Sequence, residues 1–237
     1  MKGGNEMLVF EYRCRVRFLS DIHHTVVSEK INYFLDSAFG ENDDYLKFHE
    51  SKGYKFYVVD APWPIEEDGI YKKDKIYTIR IRTVKQDLME YFSVKLPFHK
   101  SKELLGAGGE LKIIPKKRLE MIYSVTPIVL KNSDFGYWKG NMSGSDYEKR
   151  LKINLIKKYK TFTNSNLNEN FQLYDVIEFR NKKPIKVYYK GIHLLGDKLS
   201  LHISANSMAQ ELAYFALGVG LGENNSRGLG FTNYRYM

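Results

Sequence analysis

The sequence predicts an α+β protein made of two ferredoxin-like domains in tandem, each with the element order β-α-β-β-α-β. Short stretches in which apolar and polar residues alternate indicate half-buried strands, and stretches with helical spacing lie between them. The element order of residues 7–118 is repeated in residues 119–237. A chain of 237 residues is long enough for two small domains.

In the first half, residues 7–19 alternate apolar side chains with arginines, which predicts a strand with one apolar and one basic face. A helix is predicted over residues 26–38, and it ends at Gly40 because glycine commonly terminates helices. The further predicted elements are a helix at 43–50, a strand at 55–59, a strand at 75–82, a helix at 84–94 and a strand at 110–119.

The second half is predicted to begin with a strand over residues 120–130, and Pro127 places its later part at a sheet edge or a bulge. Ser207-Met208-Ala209-Gln210 resembles a capping box and predicts a helix that runs to about Gly218. The further predicted elements are a helix at 146–160, a strand at 171–180, a hairpin over 186–203 that turns at Gly196-Asp197, and a strand at 229–236.

Composition indicates a basic protein without a membrane span. The formal net charge is +9 and the pI is near 9.3, which favours a polyanionic partner such as nucleic acid. No apolar run is long enough to cross a bilayer, and the first residues lack the apolar region of a secretory signal. Cys14, the single cysteine, is interpreted as a packing residue, and a reducing cytoplasm is expected.

A glycine-rich loop at residues 218–230, called the glycine loop below, is the most informative segment. Glycines allow positive φ and close backbone approach, and successive exposed amides can bind an anion such as phosphate. Asn225 and Arg227, in its polar centre, are expected to reach phosphate or a base. The residues of this loop predicted to contact RNA are Gly220, Gly222, Asn225, Arg227, Gly228 and Gly230.

Arginines two residues apart project from one side of a strand and could bind an RNA backbone. Arg13, Arg15 and Arg17 form one such set, and Arg80 with Arg82 forms another. The alternative is that other elements cover that side and that the arginines lie at a domain seam. The lysines at 152, 157, 158, 160, 182 and 183 are interpreted as a solvated face.

A basic tandem ferredoxin-like chain with such a loop between its last helix and last strand resembles the CRISPR-associated protein six family, in the repeat-associated RNA-binding (RAMP) superfamily. The resemblance covers nearly the whole chain, is strongest at residues 220–230, and extends to Thr126-Pro127-Ile128. It implies an endoribonuclease that cuts CRISPR repeat RNA, with catalytic residues in domain 7–118 and the glycine loop in domain 119–237. It implies no cofactor.

The resemblance also implies a catalytic trio of tyrosine, histidine and lysine. His49 matches the histidine, Lys55 matches the lysine six residues later, and Tyr33 matches the tyrosine, with Tyr45 as the substitute. Lys52, between His49 and Lys55, is expected to bind RNA.

Metal-free cleavage of RNA needs such groups, because the ribose 2′-hydroxyl must lose a proton and the leaving 5′-oxygen must gain one. Histidine can do either near neutral pH, and a lysine can stabilise charge on the phosphorane. His23-His24 is the alternative pair. His99, His193 and His202 are interpreted as structural or solvent-facing. No pair of histidines is accompanied by further residues of the kind that bind metals, so no metal is predicted.

The leading interpretation is a metal-independent endoribonuclease that leaves 2′,3′-cyclic phosphate and 5′-hydroxyl ends, as the resemblance implies. The alternative is a non-catalytic subunit that holds RNA in a CRISPR effector complex. A membrane- or protein-docking module is a third class, but no helix combines a basic face with a strongly apolar one. The sequence leaves open the repeat sequence and structure recognised, the cleavage position, monomer or homodimer, and whether other effector subunits are partners.

Overall fold

The computed structural model describes residues 6–130, 136–189 and 191–237. The strands of the first half are β1 (Val9–Phe18), β2 (Ile22–His23), β3 (Tyr57–Val59), β4 (Ile70–Tyr71), β5 (Ile76–Thr83) and β6 (Leu104–Ile114), and its helices are α1 (His24–Phe39), α2 (Asp43–Glu50) and α3 (Gln86–Lys95). The second half contains β7 (Leu119–Ser124), α4 (Gly144–Thr163), β8 (Tyr174–Phe179), β9 (Ile185–Tyr189), β10 (Ile192–Gly196), β11 (Leu199–Ile203), α5 (Ser207–Val219) and β12 (Thr232–Tyr236).

Two four-stranded antiparallel sheets form the framework, with strand orders β3-β5-β1-β6 and β12-β7-β11-β8. In each sheet the first and third strands of the unit are central, and the fourth and second lie at the edges. This is the ferredoxin-like arrangement, so the predicted α+β class with a repeated unit is confirmed. A ribbon of β9 and β10 is inserted between β8 and β11, and β2 pairs with β4.

The alternation in β1 produces the predicted two faces. Phe10, Tyr12, Cys14, Val16 and Phe18 are buried in the core of the first half, so Cys14 is a packing residue as predicted. Arg13, Arg15 and Arg17 are exposed on the opposite face. The α2 helix has the predicted bounds, because Asn42 precedes it and its side chain accepts hydrogen bonds from the amides of Asp44 and Tyr45 at 3.0 and 3.2 Å.

Strand β6 starts six residues earlier than predicted and ends at Ile114, so its predicted bounds are wrong. Glycines weaken the strand pattern at this point, yet they fit because neighbouring atoms approach closely. A Cβ at Gly106 would overlap the carbonyl of Leu96, and one at Gly109 would overlap the Tyr12 ring.

Three predictions in the second half need correction. Strand β7 ends at Ser124, before Pro127, and not at residue 130. The turn predicted at Gly196-Asp197 is wrong, because in this hairpin β9 ends at Tyr189 and β10 begins at Ile192. The helix cap is Asn206, not Ser207, since the Asn206 side chain accepts a hydrogen bond from the Ala209 amide at 2.8 Å.

Asp197 is a buried junction between β10 and β11 and not a turn residue. It is fully buried, pairs with Ile128 across a short β-bridge, and accepts hydrogen bonds from Tyr137 Oη at 2.9 Å and Trp138 Nε1 at 2.7 Å. The Gly-Asp pattern resembles a turn in sequence, but here its carboxylate anchors the segment before α4.

The core of the second half extends into the first. Val9, Val84 and Ile114, from the first half, belong to the same buried cluster as helix α5. The seam also contains polar contacts: the buried Arg82 donates to the carbonyl of Thr232 at 2.5 Å. None of the helices among the described residues is both long and apolar enough to cross a membrane.

Candidate active site

A cavity of about 610 Å³ lies between α1, the end of α2, the β9–β10 ribbon and the glycine loop. Two of the three predicted catalytic residues, Tyr33 and His49, line it together with Arg227 of the glycine loop. The fold therefore brings together groups that are nearly 200 positions apart in the sequence.

Helix α1 presents one polar face to this cavity. Its other face is buried, with Ile31 and Phe34 in the core of the first half. Asp36 lies four residues after Asn32 and three after Tyr33, so it shares with both the side of the helix that the core leaves free. Tyr33 is 57% exposed.

His49 lies in the last turn of α2, where its ring stacks on Phe39 with centroids 5.9 Å apart. Its Nδ1 is 3.3 Å from Oδ1 of Asp36. The other carboxylate oxygen of Asp36 forms an ion pair with Nη1 of Arg227, and Asn32 donates to the Arg227 carbonyl at 3.4 Å. A histidine, a carboxylate and an arginine are thus connected in series.

Asp36 was missed by the sequence analysis. The signal was present, because Asp36 lies three positions after Tyr33 and therefore on the same helical face. Arg227 was expected to reach phosphate; in the structure it lies in the cavity wall and its guanidinium binds Asp36.

The side chain of Lys55 binds the carbonyl groups at the end of α2. Its ammonium donates to the carbonyls of Phe48, His49 and Ser51, the last two at 2.9 and 2.8 Å. Burial lowers the pKa of Lys55, Arg227 lowers it further, and Asp36 opposes them. Lys55 therefore caps the helix that carries His49, while Lys52 is exposed in the turn after that helix.

The backbone of the glycine loop is largely occupied by the protein itself. The amide of Leu221 donates to the carbonyl of Gly230 at 3.0 Å, that of Gly230 to Pro127 at 2.8 Å, and that of Glu223 to Val129 at 2.8 Å. These amides are not free to bind an anion, contrary to the row of exposed amides expected from the sequence. The loop instead packs against the segment that follows β7.

Positive φ explains why glycine is needed in this loop. Gly220, Gly222, Gly228 and Gly230 all have φ between 67° and 85°. At Gly230 a Cβ would also overlap the carbonyl of Leu221. The RNA contacts predicted for these four glycines remain predictions.

Asn225 and Lys158 support the glycine loop from inside. Asn225 is buried and its amide nitrogen donates to the carbonyls of Leu221 and Leu229 at 2.9 and 3.0 Å. Its amide oxygen accepts from Lys158 Nζ at 2.6 Å. Contact of Asn225 with phosphate or a base stays a prediction, and the bonds seen give it a structural role.

Lys158 was assigned to a solvated face, and that assignment is wrong. Its side chain is buried, and its ammonium also donates to the carbonyls of Gly220 at 3.1 Å and Gly222 at 2.6 Å. Burial lowers the pKa of Lys158 to about 7, and Glu223 opposes this.

A second cavity, of about 690 Å³, opens on the basic face of the first sheet. Arg13 and Arg15 line it with the exposed side chains of Trp63 and Ile65, which the sequence analysis did not single out. Trp63 is 67% exposed, which is unusual for so large an apolar side chain. The cavity thus combines cations with an exposed aromatic ring.

Arg80 and Arg82 lie at the seam between the two halves, as the alternative interpretation allowed. Arg80 pairs with Asp60 and donates to the Asn233 side chain at 2.8 Å. Arg82 is buried and pairs with Glu11 at 2.6 Å.

The alternative histidines lie elsewhere. The rings of His23 and His24 are tilted against each other, with centroids 4.4 Å apart, at the start of α1. His24 lies twelve residues before Asp36, which is about 18 Å along a helix, and His23 lies one residue further away. His99 is buried, with its Nε2 2.8 Å from Oγ of Ser37 and its Nδ1 2.7 Å from Oε1 of Glu41.

Comparisons with known proteins agree with this fold. Residues 110–234, somewhat more than half of the chain, match the family model described as CRISPR associated protein Cas6, C-terminal. Among solved structures, the chain resembles one described as CRISPR associated protein Cas6, at 21% identity and a TM-score of 0.69, with 96% of this chain and 99% of that chain covered.

A Cas6-related protein from Pyrococcus furiosus matches at 17% identity and a TM-score of 0.69, with 96% of this chain and 98% of that one covered. A RAMP protein described as binding different RNA substrates matches at 18% identity and a TM-score of 0.66, covering 96% and 99%. At such identities the likeness shows the fold alone. No curated protein sequence matches the chain.

Proposed function

Because this chain belongs to the Cas6 family of CRISPR-associated proteins, we propose that it binds CRISPR repeat RNA and cleaves it without a metal ion. The ribose 2′-hydroxyl attacks the adjacent phosphorus, the bond from phosphorus to the 5′-oxygen breaks, and 2′,3′-cyclic phosphate and 5′-hydroxyl ends result. The observation that carries the proposal is His49 beside Tyr33, Asp36 and Arg227 in one cavity.

His49 is the proton-transfer group of this reaction. An imidazole can accept the 2′-hydroxyl proton or give a proton to the leaving 5′-oxygen, and a positioned group of this kind contributes on the order of 10²–10⁴ in rate. Tyr33, exposed on α1 in the same cavity, orients the 2′-hydroxyl or acts as the partner base.

Arg227 and Lys55 supply positive charge. Arg227 lies in the cavity wall, where it can stabilise charge that builds up on the phosphorane oxygens. Lys55 adds charge near it and holds the last turn of α2, so its replacement would disturb His49 as well.

The rest of the RNA follows exposed cations. Arg13, Arg15 and Arg17 are exposed on one face of the first sheet, and Lys52 is exposed in the turn after α2, three residues after His49. Phosphate contacts of this kind make affinity fall steeply with salt. The glycines of the glycine loop let its backbone lie close to the RNA, with Asn225 holding the loop in shape.

A second candidate is a non-catalytic RNA-binding subunit of a CRISPR effector complex. The observation that favours it is the use of Lys55: its ammonium is bound to carbonyls of α2 and does not project into the cavity with His49. A protein with the same fold is described as binding different RNA substrates.

The test is cleavage of repeat RNA in EDTA by the wild type, by His49→Ala and by the double variant His23→Ala/His24→Ala. We expect His49→Ala to lose at least about 10²-fold in rate with RNA affinity retained, and the double variant to cleave normally. RNA with a 2′-deoxy sugar at the cut should resist the wild type.

Cleavage retained in His49→Ala would contradict the assignment, and loss in the double variant alone would move it to His23 and His24. A wild type that binds RNA tightly and cuts none of it would instead support the binding-subunit candidate.

A further inference from the structure

The carboxylate of Asp36 has one oxygen with a partner and one without. Its Oδ2 is paired with Arg227. Its Oδ1 is buried and accepts no hydrogen bond among the described residues, although Nδ1 of His49 lies 3.3 Å away. A buried carboxylate oxygen without a donor costs free energy, so its placement calls for a functional explanation.

We propose that Asp36 is a positioning residue: its carboxylate accepts a hydrogen bond from Nδ1–H of His49, so that Nε2 is the ring atom that exchanges a proton with the RNA. The inference rests on the proposed function, in which His49 moves the proton. Asp36 itself touches no reacting atom and acts through His49.

The surroundings of Asp36 favour this role. The carboxylate stands on α1, which the core of the first half fixes through Ile31 and Phe34. Arg227 donates a hydrogen bond to Oδ2 of Asp36, and Asn32 of α1 donates one to the carbonyl of Arg227. Contacts from both α1 and the glycine loop therefore fix the position of the Asp36 carboxylate.

The ring of His49 is held as well. Stacking on Phe39 restricts the plane of the imidazole, and Nδ1 lies 3.3 Å from Oδ1 of Asp36 in that plane's present orientation. Catalytic hydrogen bonds are often long in the free enzyme and tighten when substrate binds. A partner at one ring nitrogen fixes both the tautomer and the orientation of the other.

The arrangement also connects two parts of the molecule. Arg227 belongs to the glycine loop and His49 to the first half. Within the described parts of the chain, Asp36 is the only carboxylate that contacts both, pairing with Arg227 and lying 3.3 Å from the His49 ring. Displacement of the glycine loop would therefore misplace His49 without any direct contact between the two.

The experiment compares Asp36→Ala and Asp36→Asn with a matched control, Asp44→Asn. Asp44 is almost fully exposed on α2, so its variant changes the charge near His49 without touching the cavity. Three quantities are measured: the single-turnover cleavage rate at saturating repeat RNA, the RNA dissociation constant, and the tautomer of the His49 ring by ¹⁵N NMR. The NMR is done near pH 8.

We expect the wild-type ring to carry its proton on Nδ1, and the Asp36→Ala ring on Nε2. The single-turnover rate of Asp36→Ala should fall on the order of 10- to 100-fold, because the proton-transfer group remains but is no longer oriented. RNA affinity should stay the same or rise, since a negative charge near the phosphates is removed. Asp36→Asn, which keeps the shape and one oxygen, should lie in between, and Asp44→Asn should match the wild type.

A wild-type ring protonated on Nε2, or an Asp36→Ala variant that cleaves at the wild-type rate, would overturn the inference while the proposed function stands. If Asp36→Ala does not fold, Asp36→Asn supplies the same comparison. If the wild type cleaves no RNA, the proposed function fails, and the tautomer comparison still decides whether Asp36 orients His49.

Discussion

A buried ion pair at the seam between the two halves predicts a specific pH dependence of stability. Glu11 and Arg82 are each 2% exposed, and their side chains meet at 2.6 Å. Arg13 at 2.9 Å and Lys112 at 3.2 Å also contact the Glu11 carboxylate. Replacing Glu11 by glutamine keeps the shape of the side chain and removes its charge.

The magnitude follows from the pKa of Glu11. Burial alone would raise it, but Arg82, with help from Arg13 and Lys112, lowers it from 4.5 to about 2. A pKa difference of about 2.5 units, at about 1.4 kcal/mol for each unit, corresponds to about 3.5 kcal/mol. Because the pKa is lowered in the folded state, this stabilisation is complete above about pH 4.5 and is lost as the pH falls through 2.

The assay is urea unfolding of the wild type and of Glu11→Gln at several pH values between 7 and 3. We expect Glu11→Gln to be less stable by about 3.5 kcal/mol at pH 7 and by only about 1–1.5 kcal/mol at pH 3. Glu67→Gln makes the same chemical change at an exposed position and should show neither effect. A difference between Glu11→Gln and the wild type that stays constant from pH 7 to pH 3 would refute the reasoning.

Two further predictions concern the glycine loop and the second cavity. Lys158→Met leaves three acceptors of the glycine loop without their donor, and the smaller cost of burying an uncharged side chain offsets only part of this loss. We expect the free energy of unfolding, measured with heat or urea, to fall by about 1–3 kcal/mol and RNA binding to weaken. Lys157→Met, at an exposed position of the same helix, is the control, and equal behaviour of the two variants would contradict the structural role of Lys158. We expect a base of the bound repeat RNA to stack on the exposed Trp63 ring, so Trp63→Ala should raise the dissociation constant about 5- to 100-fold. Phe98→Ala, at a side chain that is 86% exposed elsewhere, should leave it unchanged. Filter binding decides, and equal losses in the two variants would argue against stacking at Trp63.

Local patterns predicted most of the framework, because alternation and helical spacing record which side of an element is buried. The bounds of α2 and the basic face of β1 were confirmed on that ground. The start of β6 was missed because its glycines are needed where the Leu96 carbonyl and the Tyr12 ring approach the strand closely, and no local sequence pattern reveals such contacts.

The candidate site was predicted less completely, since its contacts join distant segments. The sequence placed His49 and Tyr33, which share a cavity, but not Asp36, whose partners come from α2 and the glycine loop. Lys158 resembles its exposed neighbours on α4 in residue type, and only the folded loop shows that it is buried.

Helix α5 is apolar on almost all sides, and its residues from Leu212 to Val219 are buried. It packs on β1, β3 and β5 of the first sheet as well as on its own half, with Gly218 against Val9 and Val84. Every element of the first half precedes α5 in the chain, so the surface of the first sheet that α5 covers stays exposed until the ribosome has made this helix. The first half therefore completes its buried surface only with a helix from the second half.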